Sequence, residues 1–172
     1  LVRIAANETP RFKRVLDAGA FGVMVPLVSS AAEARAAVAA TRYPPRGIRG
    51  VAKFNRGAGF GGDFEEYYAH AHERLLTVIQ IETPDALKNI DEIAAVDGAD
   101  VMFVGPTDLS YNMGIRDQLE SPRFVEALRD VGVPAPREEE AEPKLRELLL
   151  QQIGHPDDVA KVVAPDLDRR LA

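Results

Sequence analysis

Leu76-Thr-Val-Ile-Gln-Ile-Glu-Thr-Pro-Asp-Ala-Leu-Lys88 joins a strand to the start of a helix without a spacer. The nearly unbroken apolar run to Ile81 reads as a strand buried on both faces. Thr83 then offers a cap oxygen, and Pro84 supplies the fixed φ favoured in a first helical turn. Phe21-Gly-Val-Met-Val-Pro26 and Val101-Met-Phe-Val104 repeat the apolar run. Helix-like segments lie over Thr9–Ala18, Ser30–Thr41, Asp63–Glu73 and Pro84–Ala95, and Ser30 with Glu33 forms a capping-box pattern. Strand and helix therefore alternate about four times. That alternation predicts an α/β fold with a parallel sheet, either open and doubly wound or part of a barrel.

The chain has 172 residues, 46% hydrophobic and 28% charged, which is material for one ordinary domain. No apolar run approaches the roughly 20 residues of a membrane span, and no signal-peptide pattern opens the chain. The expectation is a soluble, cytoplasmic protein with no membrane partner. A formal charge of -6 argues against a nucleic-acid partner and favours a small molecule. The absence of cysteine excludes disulfides, thiolate metal sites and cysteine nucleophiles. Composition changes after Gly132, where Pro134-Ala-Pro136 and Arg137-Glu-Glu-Glu140 form a polar break. The predicted organisation is a βα domain over 1–132 and a divergent helical tail over 133–172, with helices at Glu142–Gln152 and Pro156–Val163.

Glu82 and Asp108 follow the apolar runs almost directly. In parallel α/β folds the carboxyl ends of the strands form the functional face, so both side chains are candidates to converge there. Two carboxylates with open positions suit a hard divalent cation, Mg²⁺ or Mn²⁺. The alternative is that each acid caps the helix after it. Gln80 shares a strand face with Glu82 and could bind a ligand or a structural partner. Arg3, in the first apolar stretch, needs a carboxylate or ligand if buried, and otherwise marks an exposed strand end. Gly57-Ala-Gly59-Phe-Gly-Gly62 matches G-x-G-x-x-G, yet no buried strand precedes it, and Asp63, Glu65 and Glu66 would repel a pyrophosphate. A mobile loop near the active face is the better expectation. His70, His72 and His155 read as solvent-facing.

Thr41-Arg-Tyr-Pro-Pro-Arg-Gly-Ile-Arg-Gly50, Val78-Ile-Gln-Ile-Glu-Thr83 and Phe103-Val-Gly-Pro-Thr-Asp-Leu-Ser110, in this order, resemble the HpcH/HpaI family of class II 2-keto-acid aldolases, related to the citrate lyase β-subunit group. The resemblance covers about residues 1–131. It implies a phosphoenolpyruvate/pyruvate-type (β/α)₈ TIM barrel, hexameric in the family, that cleaves a 4-hydroxy-2-oxo acid to pyruvate and an aldehyde. Residue by residue, it implies that Glu82 and Asp108 are metal ligands and that Gln80 contacts pyruvate. Gly105, Pro106 and Thr107 would supply the backbone that holds the substrate carboxylate. Arg3 resembles the arginine that stabilises the enolate oxygen, and Asp17 the aspartate that raises the basicity of a catalytic histidine.

That histidine belongs, in the family, to an upstream βα unit, and none of the three histidines here matches it. Barrels of this type typically take about 250 residues. The expectation is a partial barrel of about four βα units, truncated at both ends, with impaired cleavage. Ile153–Ala164 weakly resembles a late helix of short-chain dehydrogenases, without that family's nucleotide site. The rival readings are a non-catalytic fragment or assembly protein, whose unpaired sheet edges pair with another chain, and an acyl-CoA lyase of the citrate lyase type.

Overall fold

A computed structural model describes residues 1–130 and 162–163. Four strands run parallel and in chain order: β1 (Val2–Arg3), β2 (Gly22–Val25), β3 (Leu76–Ile81) and β4 (Val101–Val104). The connections hold helices α1 (Thr9–Asp17), α2 (Ala31–Thr41), α3 (Phe64–Arg74), α4 (Pro84–Lys88) and α5 (Ile90–Ala94). Helices α6 (Pro106–Asn112) and α7 (Pro122–Asp130) follow β4. Neither α6 nor α7 was anticipated from sequence, although Pro106 and the Ser121-Pro122 pair carry first-turn signals, and the Phe124 N–H donates to Ser121 Oγ at 3.3 Å.

The register sorts the strand residues into two faces. Arg3, Met24, Val78 and Val101 pair across the sheet in one row, and Gln80 pairs with Phe103 in the next. Met24, Val78, Val101 and Phe103 form a small cluster made of strand residues alone. The alternate residues Val23, Val25, Ile79, Ile81, Met102 and Val104 join the main core with helix residues such as Phe12, Leu16, Ala34, Ile93 and Leu109. Among the described residues, helices thus cover one face and the other is lined by strand side chains, as in an arc of a (β/α)₈ barrel. Phe12 and Leu16 are fully buried, each contributing about 1.5–3 kcal/mol of burial.

Helix starts follow the expected chemistry. Ser30 accepts from the Glu33 N–H at 3.3 Å, and Thr83 from the Ala86 N–H at 3.0 Å. Glu33 returns its carboxylate to the Ser29 amide at 2.7 Å, one residue earlier than a strict capping box. The helix predicted over 84–95 is broken at Asn89, whose side chain donates to the Ser29 carbonyl at 2.8 Å. In the tail, the helix predicted over 156–163 is corrected at its end. Val162–Val163 form β5, antiparallel to β4, consistent with two β-branched residues pairing on an open strand edge. The remaining tail, with the helix predicted over 142–152 and His155, lies outside the described residues.

Candidate metal and keto-acid site

Glu82 continues the face that carries Val78 and Gln80, one residue beyond β3, and is only 2% exposed. It caps no helix, since Thr83 is the N-cap of α4. Instead Glu82 Oε2 accepts the Leu27 N–H at 2.8 Å, and the Glu82 carbonyl accepts from Asn112 Nδ2 at 2.9 Å. Gly105 closes the other side. Its N–H donates to the Ile81 carbonyl at 3.1 Å, and a Cβ built on it would stand 2.7 Å from both Cγ and Oε1 of Glu82. The carboxylate therefore occupies the space that any other residue at 105 would fill.

Asp108 lies in the first turn of α6, exposed where Glu82 is buried. It is not the N-cap either, because Gly105 holds that position. Burial pushes the Glu82 carboxyl above the ordinary glutamate range, the Leu27 amide pulls it back, and Asp108 raises it while Arg3 lowers it. These influences place Asp108 and Arg3 within electrostatic reach of Glu82. Arg3 itself is exposed at the end of β1, which corresponds to the exposed-end alternative. Gln80 is buried, and its Oε1 has no hydrogen-bond partner among the described residues. Pro106 and Thr107 stand between Gly105 and Asp108 in the same turn.

The pattern fits a hard cation. A buried carboxylate with an exposed one in electrostatic reach supplies oxygen donors, Gln80 adds an unpartnered buried amide oxygen on the same strand face, and desolvation of Glu82 is the cost a bound cation would offset. Among the described residues no group of three or more His, Cys, Asp or Glu is gathered. Two carboxylates among the described residues, Glu82 and Asp108, are the oxygen donors a substrate-chelating ion could use.

Asp17 does not join this group. It ends α1 just ahead of β2, at the rim where the strands begin, whereas Glu82 and Asp108 stand where strands end. The nine residues of α1 span about 13 Å between the rims. Asp17 pairs with Lys13 and, at 2.9 Å, with Arg49, whose side chain is 0% exposed. Arg49 also donates to the Tyr67 hydroxyl at 3.0 Å and stacks 4.4 Å over the Tyr43 ring. Burial raises the Tyr43 hydroxyl to about 12 against the pull of Arg49. The glycine loop packs at this same rim, because the Gly57 N–H donates to the Asp17 carbonyl at 3.1 Å. That overturns its expected place near the active face. His70 is exposed and half-buried His72 pairs with Arg46 and Glu73.

Residues 1–140 match the family model described as HpcH/HpaI aldolase/citrate lyase. The chain belongs to the HpcH/HpaI aldolase/citrate lyase family. This HpcH/HpaI chain is 43% identical over 130 residues to a hydroxypyruvate/pyruvate aldolase of Sagittula stellata, covering 76% of this chain and 51% of that protein. It is 48% identical over 114 residues to a 2-dehydro-3,6-dideoxy-6-sulfogluconate aldolase of Pseudomonas putida, covering 66% and 44%. Among solved structures, an HpcH/HpaI aldolase/citrate lyase family protein from Burkholderia cenocepacia superposes with TM-score 0.68 at 35% identity, over 77% of this chain and 56% of that one. The HpcH/HpaI chain thus spans about half the length of the curated relatives it matches. Its arc of parallel strands is part of the family's (β/α)₈ barrel.

Sequence reasoning passed over Leu27, Asn112 and Arg49. Arg49 sits in the quoted Thr41–Gly50 motif, and an arginine between two prolines' downstream glycines gives no local sign of burial. Leu27 carries only the signal of following a proline at a strand end.

Proposed function

We propose that the Glu82–Asp108 site is the metal and pyruvate subsite of a class II aldolase that cleaves 4-hydroxy-2-oxo acids to pyruvate and an aldehyde. The observation that carries this reading is the buried Glu82 carboxylate, held by a main-chain amide with no ion pair among the described residues, and with Asp108 in electrostatic reach. Glu82 and Asp108 would hold Mg²⁺ or Mn²⁺, which when bound supplies Lewis-acid polarisation of the α-keto acid. Gln80, on the same face, would contact the pyruvate portion through its amide N–H groups, leaving its unpartnered Oε1 to accept from a metal-bound water. Of Gly105, Pro106 and Thr107 in the α6 first turn, Pro106 has no N–H and the Gly105 N–H is taken by the Ile81 carbonyl, so the Thr107 amide, unpaired within the helix, is the one that faces the substrate carboxylate. Arg3 adds positive charge where negative charge develops on the keto oxygen.

Asp17 is engaged by Lys13 and Arg49, and no described histidine sits with it. We therefore assign it no proton transfer within this chain, and its resemblance-implied role remains that of orienting a histidine base. The expected setting is cytoplasmic. No described helix is long and apolar enough to cross a membrane. A homo-oligomer is the expected state, supported by exposed Ile48, Val51, Phe54 and Phe60 on the loop before α3.

Pyruvate release from a panel of 4-hydroxy-2-oxo acids, coupled to lactate dehydrogenase, tests the reading. Weak release that EDTA abolishes, and that Glu82→Ala removes, is expected, because loss of a general base alone costs about 10²–10⁴-fold. Release insensitive to EDTA and to Glu82→Ala would contradict it.

A further inference from the structure

Leu27 occupies a conformation that its side chain does not favour. Its φ is +54°, in the left-handed region, where a non-glycine residue pays roughly 1–2 kcal/mol. The segment around it is tied down on both sides. Val25 and Val28 are buried, Ser29 Oγ and Thr83 Oγ1 share a hydrogen bond at 2.7 Å, and Asn89 holds the Ser29 carbonyl. Packing of its side chain does not explain the strain, since Leu27 is 57% exposed. What the conformation delivers is the main-chain N–H, 2.8 Å from Glu82 Oε2. With only a glycine packed against Oε1, the carboxylate is gripped on Oε2, while Oε1 accepts no hydrogen bond among the described residues.

We propose that Leu27 is a positioning residue, whose left-handed backbone aims its amide at Glu82 Oε2 and so presets Glu82 Oε1 toward a divalent cation. This rests on the metal-site reading above. Strain held at a functional site by an over-determined surrounding is a known use of such conformations, and partners one bond behind a metal ligand commonly change metal affinity 10–100-fold. The identity of residue 27 then matters through its backbone preference and not through its side-chain contacts.

Titration of the full chain with Mn²⁺, followed by electron paramagnetic resonance of the free ion, separates the possibilities. Leu27→Val, β-branched and least tolerant of positive φ, is expected to weaken Mn²⁺ binding about tenfold or more. Leu27→Asn and Leu27→Gly, which accept positive φ, are expected to stay within about twofold of wild type, as backbone-compatible replacements. Should Leu27→Val unfold, the Leu27 amide proton resonance of the wild type supplies the readout, and it is expected to move on Mg²⁺ addition and to move again in Glu82→Gln. Equal Mn²⁺ affinity in Leu27→Val and wild type overturns the inference, as does equal weakening in Leu27→Val and Leu27→Gly. An amide resonance indifferent to both Mg²⁺ and Glu82→Gln does the same. If Glu82→Ala binds Mn²⁺ as wild type does, the metal-site reading itself falls, and this inference with it.

Discussion

Gly105→Ala isolates the geometry of Glu82 from its chemistry, because it leaves both carboxylates and every hydrogen-bonding group in place. The backbone of Gly105, at φ -89° and ψ 97°, accepts alanine without strain. The added Cβ, however, would meet Glu82 Cγ and Oε1 at 2.7 Å, whereas ordinary contact begins at 3.4 Å. Glu82 must retreat by that 0.7 Å difference. Functional groups have to be held within about 0.5 Å of their productive position, so the retreat exceeds what the site tolerates. Glu82 is not free to swing away cheaply, since its Oε2 is tied to the Leu27 amide and its carbonyl to Asn112. Overpacking of this kind costs about 1–3 kcal/mol in stability, and losing a hydrogen bond to a charged group costs a similar amount. The expected result is a folded protein, with a urea midpoint modestly lowered, and Mn²⁺ affinity reduced about 10–100-fold. Calorimetric titration beside a urea melt measures both. Gly114→Ala is the control: its φ of +72° imposes strain, but nothing lies within 4 Å of its Cβ, so it should lower stability and leave Mn²⁺ affinity alone. Unchanged Mn²⁺ binding in Gly105→Ala would refute the claim that Glu82 is a ligand whose placement depends on this close approach.

Burial raises the Glu82 carboxyl above its usual range, so between the ordinary and the raised value the native protein binds a proton that the unfolded chain has released, and stability falls as pH rises. Metal-free Glu82→Gln should therefore be more stable than wild type at neutral pH, with the difference vanishing as pH falls below the ordinary glutamate value; urea melts at a series of pH values check this, and a constant difference would contradict it. Arg49→Ala removes a fully buried cation from Asp17 and Tyr67 and should, as read by thermal unfolding, destabilise the fold by less than the roughly 3–5 kcal/mol of a fully buried pair, because Asp17 keeps Lys13. Arg49→Lys should recover little of it, because a lysine cannot serve Asp17 and Tyr67 at once while stacking on Tyr43.

The central strands were legible because parallel strands buried on both faces are continuous apolar runs, as Leu76–Ile81 shows. Glu82 and Asp108 stood out by their place just after such runs. What local sequence could not show is each feature fixed by a distant partner. The break at Asn89 depends on the Ser29 carbonyl 60 residues earlier. Arg49 is buried because Asp17, 32 residues away, pairs with it. The Leu27 amide, at positive φ, meets a carboxylate 55 residues downstream, and the glycine loop lies at the far rim because α1 captures Gly57. Periodicity reads which face a residue occupies; it does not read which rim a loop returns to.

The most direct measurement is calorimetric titration of the chain with Mn²⁺, with and without pyruvate, in wild type and in the Glu82→Ala, Asp108→Ala double variant. Saturable binding in the wild type, strengthened by pyruvate and lost in the double variant, is the predicted result. Equal binding by the two proteins would contradict the assignment of Glu82 and Asp108 as the metal site.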